Sequence, residues 1–280
     1  MYLNLCAFLF AGDLTQQARR LKEPITETPF TLYRGYLVVV EGQIGNLQRQ
    51  HFLIDTGSSP SIIDQRLARK LGLHGASRDL TLFNQNVSAE AVLLPDVQLG
   101  PLHRQNVQVM VSDFSKVDRG IGTQVDAVIG LDVLGESSFT IDYQKRRIVF
   151  HASHERYSAP FTPGNQFIGI DLHAGNRRLH LLLDTGTPQL ILFEKALHDL
   201  DYDPTQAIAS GQNFSGTVVY HKVVLPNVRL GTKDVGPQAA SVVASQQNAD
   251  AGFDGLIGIF VLRPKRLSFD FDHQILGWSN

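Results

Sequence analysis

The chain has 280 residues, enough for one large domain or two lobes of ordinary size. Its composition, 43% hydrophobic and 19% charged, is that of a packed globular protein and excludes a disordered chain. A net charge of −2 removes the electrostatic ground for expecting nucleic acid or an anionic membrane as partner, and a single cysteine, Cys6, excludes a disulfide scaffold within the chain.

In chain order, Leu3 to Ala11 is almost wholly apolar, with no Lys or Arg before it. It has the length of a signal-peptide h-region and falls far short of the ~20 residues of a membrane span. Two readings stand: an export signal, making the protein periplasmic or secreted, or a plain apolar segment of a cytoplasmic protein. Residues 1–31 are set apart on these grounds, with Asp13 to Thr28 a candidate pro-segment.

From Leu32 the pattern is β-rich. Tyr36-Leu37-Val38-Val39-Val40 leads through Gly42, Gly45 and Asn46 to a strand ending Phe52-Leu53-Ile54-Asp55-Thr56-Gly57. Ile62-Ile63 follows, then Leu67 and Leu71 before Gly72, which predict a short helix with a glycine cap. Asn84-Gln85-Asn86, beside Phe83, predicts a hairpin tip, since Asn tolerates positive φ. Leu94 to Gly100, Asp126-Ala127-Val128-Ile129-Gly130-Leu131 and a hairpin from Phe139-Thr140-Ile141-Asp142 to Phe150 close this stretch. Residues 151–166, with Pro160, Pro163 and Gly164 and no apolar periodicity, read as a linker.

At Phe167 the same order returns. Phe167 to Ile170 leads through Gly175-Asn176 to Leu181-Leu182-Leu183-Asp184-Thr185-Gly186; then come Leu190-Ile191-Leu192 and a second short helix near Ala196-Leu197. A predicted hairpin tip lies at Gly211-Gln212-Asn213, beside Phe214, and Asp254 to Ile259 and the hairpin Leu267 to Trp278 complete the copy. Asp55 and Asp184 lie 129 residues apart, Gly130 and Gly258 128, and Pro95 and Pro226 131. Landmarks that hold register this well define a duplication, with lobes at 32–150 and 167–280. Two copies are too few and too long for a solenoid.

Hydrolysis of an unactivated amide needs a base to activate water and an acid to protonate the carbonyl oxygen or the leaving amine. Two carboxyl groups about 3 Å apart supply both, because like charges so close cannot both ionise. They share one proton and titrate as a pair. On this reading Gly57 and Gly186 permit a tight turn and the approach of the opposite lobe's backbone, and Thr56 and Thr185 offer hydroxyls that hydrogen-bond across the axis. The Gly130 and Gly258 segments would cross beneath the triplets, where a side chain would collide.

These residues resemble the aspartic peptidases of the retropepsin and pepsin clan, over nearly the whole sequence. Ile129-Gly130-Leu131-Asp132-Val133-Leu134 and the lobe size are similar to bacterial retropepsin-like proteins, here fused in one chain. Pepsins are longer and usually carry disulfides, which this chain cannot form. The resemblance implies an all-β, two-lobed acid protease fold, Asp55 and Asp184 as catalytic pair and a water nucleophile, with no metal or other cofactor. It also implies an extended polypeptide substrate and a catalytically self-sufficient monomer. Phe83, Asn84, Gln85 and Asn86, and Gln212, Asn213 and Phe214, would belong to two flaps. Ser58 and Thr187 stand where retroviral members carry Ala; a hydroxyl donating to the adjacent carboxylate there would favour the charged form and a more acidic working range.

Rival readings are a non-catalytic peptide-binding module with the same cleft, and a glycosidase, whose carboxyls would stand about 5–9 Å apart. Asp142 and Asp270, and Asp126 and Asp254, read as structural turn residues. His151 and His154 lack a third metal ligand at a recognisable spacing, and Lys145-Arg146-Arg147 reads as a solvated turn. Ser58-Ser59 lacks a nucleophile elbow, and no phosphate-binding glycine loop is present.

Overall fold

A computed structural model of the chain describes residues 27–82, 85–163, 167–213, 216–244 and 252–280. The apolar run at 3–11, Cys6, most of the candidate pro-segment and the flap residues Phe83, Asn84 and Phe214 lie outside the described residues. No helix among those described is long and apolar enough to cross a membrane.

The first half contains β1 (Glu27–Tyr33), β2 (Leu37–Ile44), β3 (Leu47–Ile54), β4 (Ile62–Asp64), α1 (Gln65–Lys70), β5 (Ala76–Leu82), β6 (Gln85–Leu99) and β7 (Leu102–Ser112). It continues with α2 (Ser115–Ile121), β8 (Ala127–Ile129), α3 (Leu131–Leu134), β9 (Phe139–Asp142) and β10 (Arg147–Val149). The second half contains β11 (Tyr157–Pro163), β12 (Ile168–Ala174), β13 (Arg177–Leu183), β14 (Leu190–Phe193), β15 (Asp203–Asn213), β16 (Gly216–Leu225), β17 (Val228–Leu230) and β18 (Lys233–Asp234). It ends with β19 (Gln238–Val243), β20 (Gly255–Ile257), α4 (Ile259–Leu262), β21 (Arg266–Asp270) and β22 (Ile275–Ser279). The fold is all-β and two-lobed, and the second lobe repeats the first lobe's order with the long β6 and β7 each standing as two shorter strands, β16–β17 and β18–β19.

Local chemistry accounts for the hairpins. β2 buries four residues in succession, Leu37 to Val40, and turns into β3 at Gly45, whose φ of +55° suits glycine. Gly175, at φ +56°, makes the equivalent turn between β12 and β13. Non-local pairing then sets the site. β3 runs parallel to β8, Ile54 opposite Ile129, and β13 runs parallel to β20, Leu183 opposite Ile257. Each triplet therefore leaves its strand beside the apolar-Gly segment of its own lobe.

The lobes are joined by a six-stranded sheet in the order β1-β10-β9-β21-β22-β11. Thr140 pairs with its own counterpart Ser268 at the centre, and their hydroxyls meet at 3.1 Å. The pseudo-twofold axis passes between these two residues. Phe139 and Phe269 stack beside it, centroids 4.5 Å apart, and one apolar core runs through both lobes.

Several expectations change. The segment 151–166 is not a plain linker, because β11 occupies Tyr157–Pro163 and pairs with β22 and β12. Ala159 and Phe161 are buried while Pro160 and Thr162 point outward, a short alternation that the two prolines obscure. Its counterpart β1 starts at Glu27, so the last residues of the segment set apart as 1–31 belong to the sheet. Of the run Lys145-Arg146-Arg147, the first two are exposed in the turn as expected, whereas Arg147 lies in β10 and makes a partly exposed ion pair with Glu27. The second helix is a single 3₁₀ turn, Glu194–Leu197, since Phe193 stands where Asp64 caps α1 through Arg66 N–H.

Candidate active site

Asp55 and Asp184 sit at the ends of β3 and β13, each tied by its own N–H to the neighbouring segment, Asp55 to Ile129 O at 3.0 Å and Asp184 to Ile257 O at 3.1 Å. The backbone of each triplet folds back on its carboxyl: Gly57 N–H donates to Asp55 Oδ1 at 2.8 Å, and Gly186 N–H to Asp184 Oδ1 at 2.7 Å. The threonines lock the two turns together. Thr56 Oγ1 donates to Leu183 O at 2.9 Å and accepts from Thr185 N–H, while Thr185 Oγ1 donates to Ile54 O at 3.2 Å and accepts from Thr56 N–H. Both threonines are fully buried, so each hydroxyl must be satisfied inside, and it is.

The glycines act on side chains rather than on backbone. A Cβ at Gly57 would stand 2.5 Å from Asp184 Cγ, and one at Gly186 2.7 Å from Asp55 Oδ2. What approaches each glycine is the opposite lobe's carboxyl, not its backbone as the sequence reading had it. At Gly130 a Cβ would meet Ser58 O at 2.1 Å, and at Gly258 Thr187 O at 2.5 Å, so these segments do pass directly against the residues after each triplet.

The two carboxyls face each other across the seam, each against the other triplet's glycine. Burial raises Asp184 well above the usual carboxylate range, and the charge of Asp55 and the hydrogen bond to it push it further. Burial also raises Asp55, opposed by the Gly57 N–H, the bond from Asp184 and the Gly186 N–H. The pair thus retains one proton above the pH at which an isolated aspartate ionises. Ser58 plays no part in this, contrary to expectation: its Oγ donates to Pro60 O at 3.2 Å. The downward pull on Asp184 comes from the backbone N–H groups of Gly186 and Thr187. An acidic shift argued from a Ser58 hydroxyl therefore has no geometric support.

The predicted flap segments form two long hairpins, β5–β6 and β15–β16. Their ladders extend to Leu82 opposite Gln85 and to Asn213 opposite Gly216. Gln85, Asn86, Gln212 and Asn213 accordingly lie in strands and not at tips, because Asn tolerates positive φ without demanding it. Asp126 accepts from His51 N–H and Asp254 from His180 N–H, each at 2.8 Å, pinning the strand that leads to the triplet. Among the described residues no cluster of His, Cys, Asp or Glu could hold a metal.

Three residues beside the dyad were not singled out from sequence. Asp132 receives Ser61 N–H at 3.0 Å and Ser61 Oγ–H at 2.6 Å, and Ser61 Oγ accepts Gly130 N–H at 2.9 Å. Tyr36, in the turn that leads into β2, has its phenol pushed up by burial and by the charge of Asp184, with a smaller push from Asp55. The signal that was available was the position of Asp132 in the apolar-Gly run; Tyr36 read only as a strand residue.

The fold and this paired site define an aspartyl protease architecture. The family model for aspartyl proteases matches the chain twice, over residues 40–133 and 170–261, and the chain belongs to this retropepsin-like family. No curated protein sequence matches the chain.

Proposed function

We propose that the chain is an aspartic endopeptidase that hydrolyses peptide bonds in an extended polypeptide through Asp55 and Asp184. The observation that carries this reading is the facing pair of carboxyls at the lobe seam, each set against the other triplet's glycine and held by matched N–H hydrogen bonds from its own triplet. The ionised carboxylate takes a proton from a water molecule, whose oxygen attacks the scissile carbonyl carbon. The protonated carboxyl gives its proton to the carbonyl oxygen, so that a neutral tetrahedral diol forms. Collapse of the diol breaks the C–N bond, with a proton passed to the leaving amine and the other returned to the pair. The cycle calls on no cofactor and forms no covalent acyl-enzyme. Both halves of the dyad come from one chain, so a monomer suffices. A peptide lying between the lobes would bind through main-chain hydrogen bonds, with side chains pointing alternately to opposite walls.

A mixed peptide library digested across about pH 3 to 8 tests the reading. Cleavage by the wild type, lost by roughly 10²–10⁴-fold or more in Asp55→Asn and Asp184→Asn and blocked by a statine-type transition-state mimic, is the expected result. Binding without cleavage at any pH would leave a peptide-binding module in its place.

A further inference from the structure

The loop that carries Asp55 is laced to the segment 129–132 along its length. Asp55 N–H donates to Ile129 O at 3.0 Å, Leu131 N–H to Ser58 O at 3.1 Å, and Gly130 N–H to Ser61 Oγ at 2.9 Å. Asp132 closes the lacing, its two oxygens accepting from Ser61 N–H at 3.0 Å and from Ser61 Oγ–H at 2.6 Å. Ser61 is fully buried, so its hydroxyl depends on these partners. Gly130 runs so close to the loop that a Cβ on it would stand 2.1 Å from Ser58 O, and neither segment can shift without the other.

The second lobe makes the same ties with backbone alone. Asp184 N–H donates to Ile257 O at 3.1 Å, Gly258 N–H to Gln189 O at 2.9 Å, Ile259 N–H to Thr187 O at 3.1 Å and Phe260 N–H to Pro188 O at 2.9 Å. Leu190 stands at the place of Ser61, and Phe260 at that of Asp132. The Phe260 ring turns to Tyr36 of the first lobe instead, edge-on with centroids 5.6 Å apart. A carbonyl acceptor survives any exchange of side chain, whereas the first lobe's lock can be removed by one.

We infer that Asp132 is a positioning residue: acting through Ser61, it fixes the loop that presents Asp55, so that one half of the dyad depends on a side-chain lock and the other does not. What kcat reports about it rests on the endopeptidase reading; the lock itself stands without turnover. Two carboxyls held face to face lose their protons in two separated steps, because each feels the other's charge. A loosened Asp55 loop lets the carboxyls draw apart, and the two steps then converge.

The test compares the wild type with Asp132→Ala, Ser61→Ala, Asp132→Asn and Phe260→Ala, by kcat and KM on a cleaved peptide and by NMR titration of the Asp55 and Asp184 carboxyl carbons. Asp132→Ala should lower kcat by about tenfold or more with KM within about twofold, and should bring the two titration steps together. Ser61→Ala opens the same lock with a smaller change of volume and should act in the same direction. Asp132→Asn keeps an oxygen for Ser61 N–H and offers an amide N–H to Ser61 Oγ, so it should restore most of both readings. Phe260→Ala should leave the steps as far apart as in the wild type. Steps that do not converge in folded Ser61→Ala, whatever happens to kcat, would overturn the assignment, as would equal convergence in Phe260→Ala. Converging steps in the lock variants of a protein whose wild type cuts no peptide would sink the hydrolase reading and keep the positioning role.

Discussion

Single atoms govern the site at the residue scale. A methyl group at Gly57 or Gly186 would have to share space with the opposite carboxyl, at 2.5 and 2.7 Å. Gly57→Ala and Gly186→Ala should each lower stability by about 1–3 kcal/mol and, by displacing a carboxyl, cut activity by roughly 10²-fold; urea unfolding and kcat/KM check the two effects separately. Asp184 also makes a statement about stability and pH. Its folded-state pKa is raised, so folding takes up the proton more strongly than the unfolded chain does. The wild type is therefore favoured below the unfolded-state value of about 3.9 and loses that contribution as pH rises through the raised pKa. Asp184→Asn, which carries no such penalty, should melt above the wild type at neutral pH by about 2–4 °C per kcal/mol relieved, and the gap should close as pH falls toward 4. A gap that widened in acid would contradict the raised pKa. The dyad residues were legible in the sequence because both copies print the same triplet. Tyr36 and Phe260 were not, since an aromatic in a turn or shortly after a glycine carries no mark of what lies across a seam.

At the scale of elements, the two copies diverge where a single capping residue changes. Asp64 is buried and accepts from Arg66 N–H, from the Arg66 guanidinium and from Phe114 N–H, so it starts α1 and ties it to the chain leading into α2. Asp64→Ala should cost about 2 kcal/mol or more, measured by thermal or urea unfolding, and should shorten α1 toward the 3₁₀ turn seen at Glu194–Leu197. The β-hairpins were readable from alternating apolar residues and from glycines that take positive φ, such as Gly45 and Gly175. β11 was not, because Pro160 and Pro163 imitate a linker when the strands that receive them, β22 and β12, are unknown. The hairpin ends shifted for a similar reason: cross-strand register between β5 and β6 decides where a ladder stops, and Asn at 84 and 86 only permits a turn.

For the whole molecule, the six-stranded sheet makes two similar lobes one body. Thr140 and Ser268 meet at its centre, and Phe139 stacks on Phe269 from the other lobe with neither ring exposed. Phe139→Ala should cost about 3–5 kcal/mol and destabilise both lobes together, visible as one shifted transition by every probe; separate melting of the lobes would show that the sheet does not couple them. The duplication, the all-β class and the two aspartates were legible without the fold, because a repeated motif is a local pattern that survives without knowing what touches what. Tertiary structure alone decided what those residues face. Parallel pairing of β3 with β8 and of β13 with β20 carries each triplet to the seam. Closing the seam brings Asp184 against Gly57 and Asp55 against Gly186, turns Ser58 away toward Pro60, and sets Phe260 against Tyr36. All of these are contacts between residues far apart in the chain, and the free energy that selects them comes from burying both lobes' apolar surfaces in one core, which no local run of sequence records.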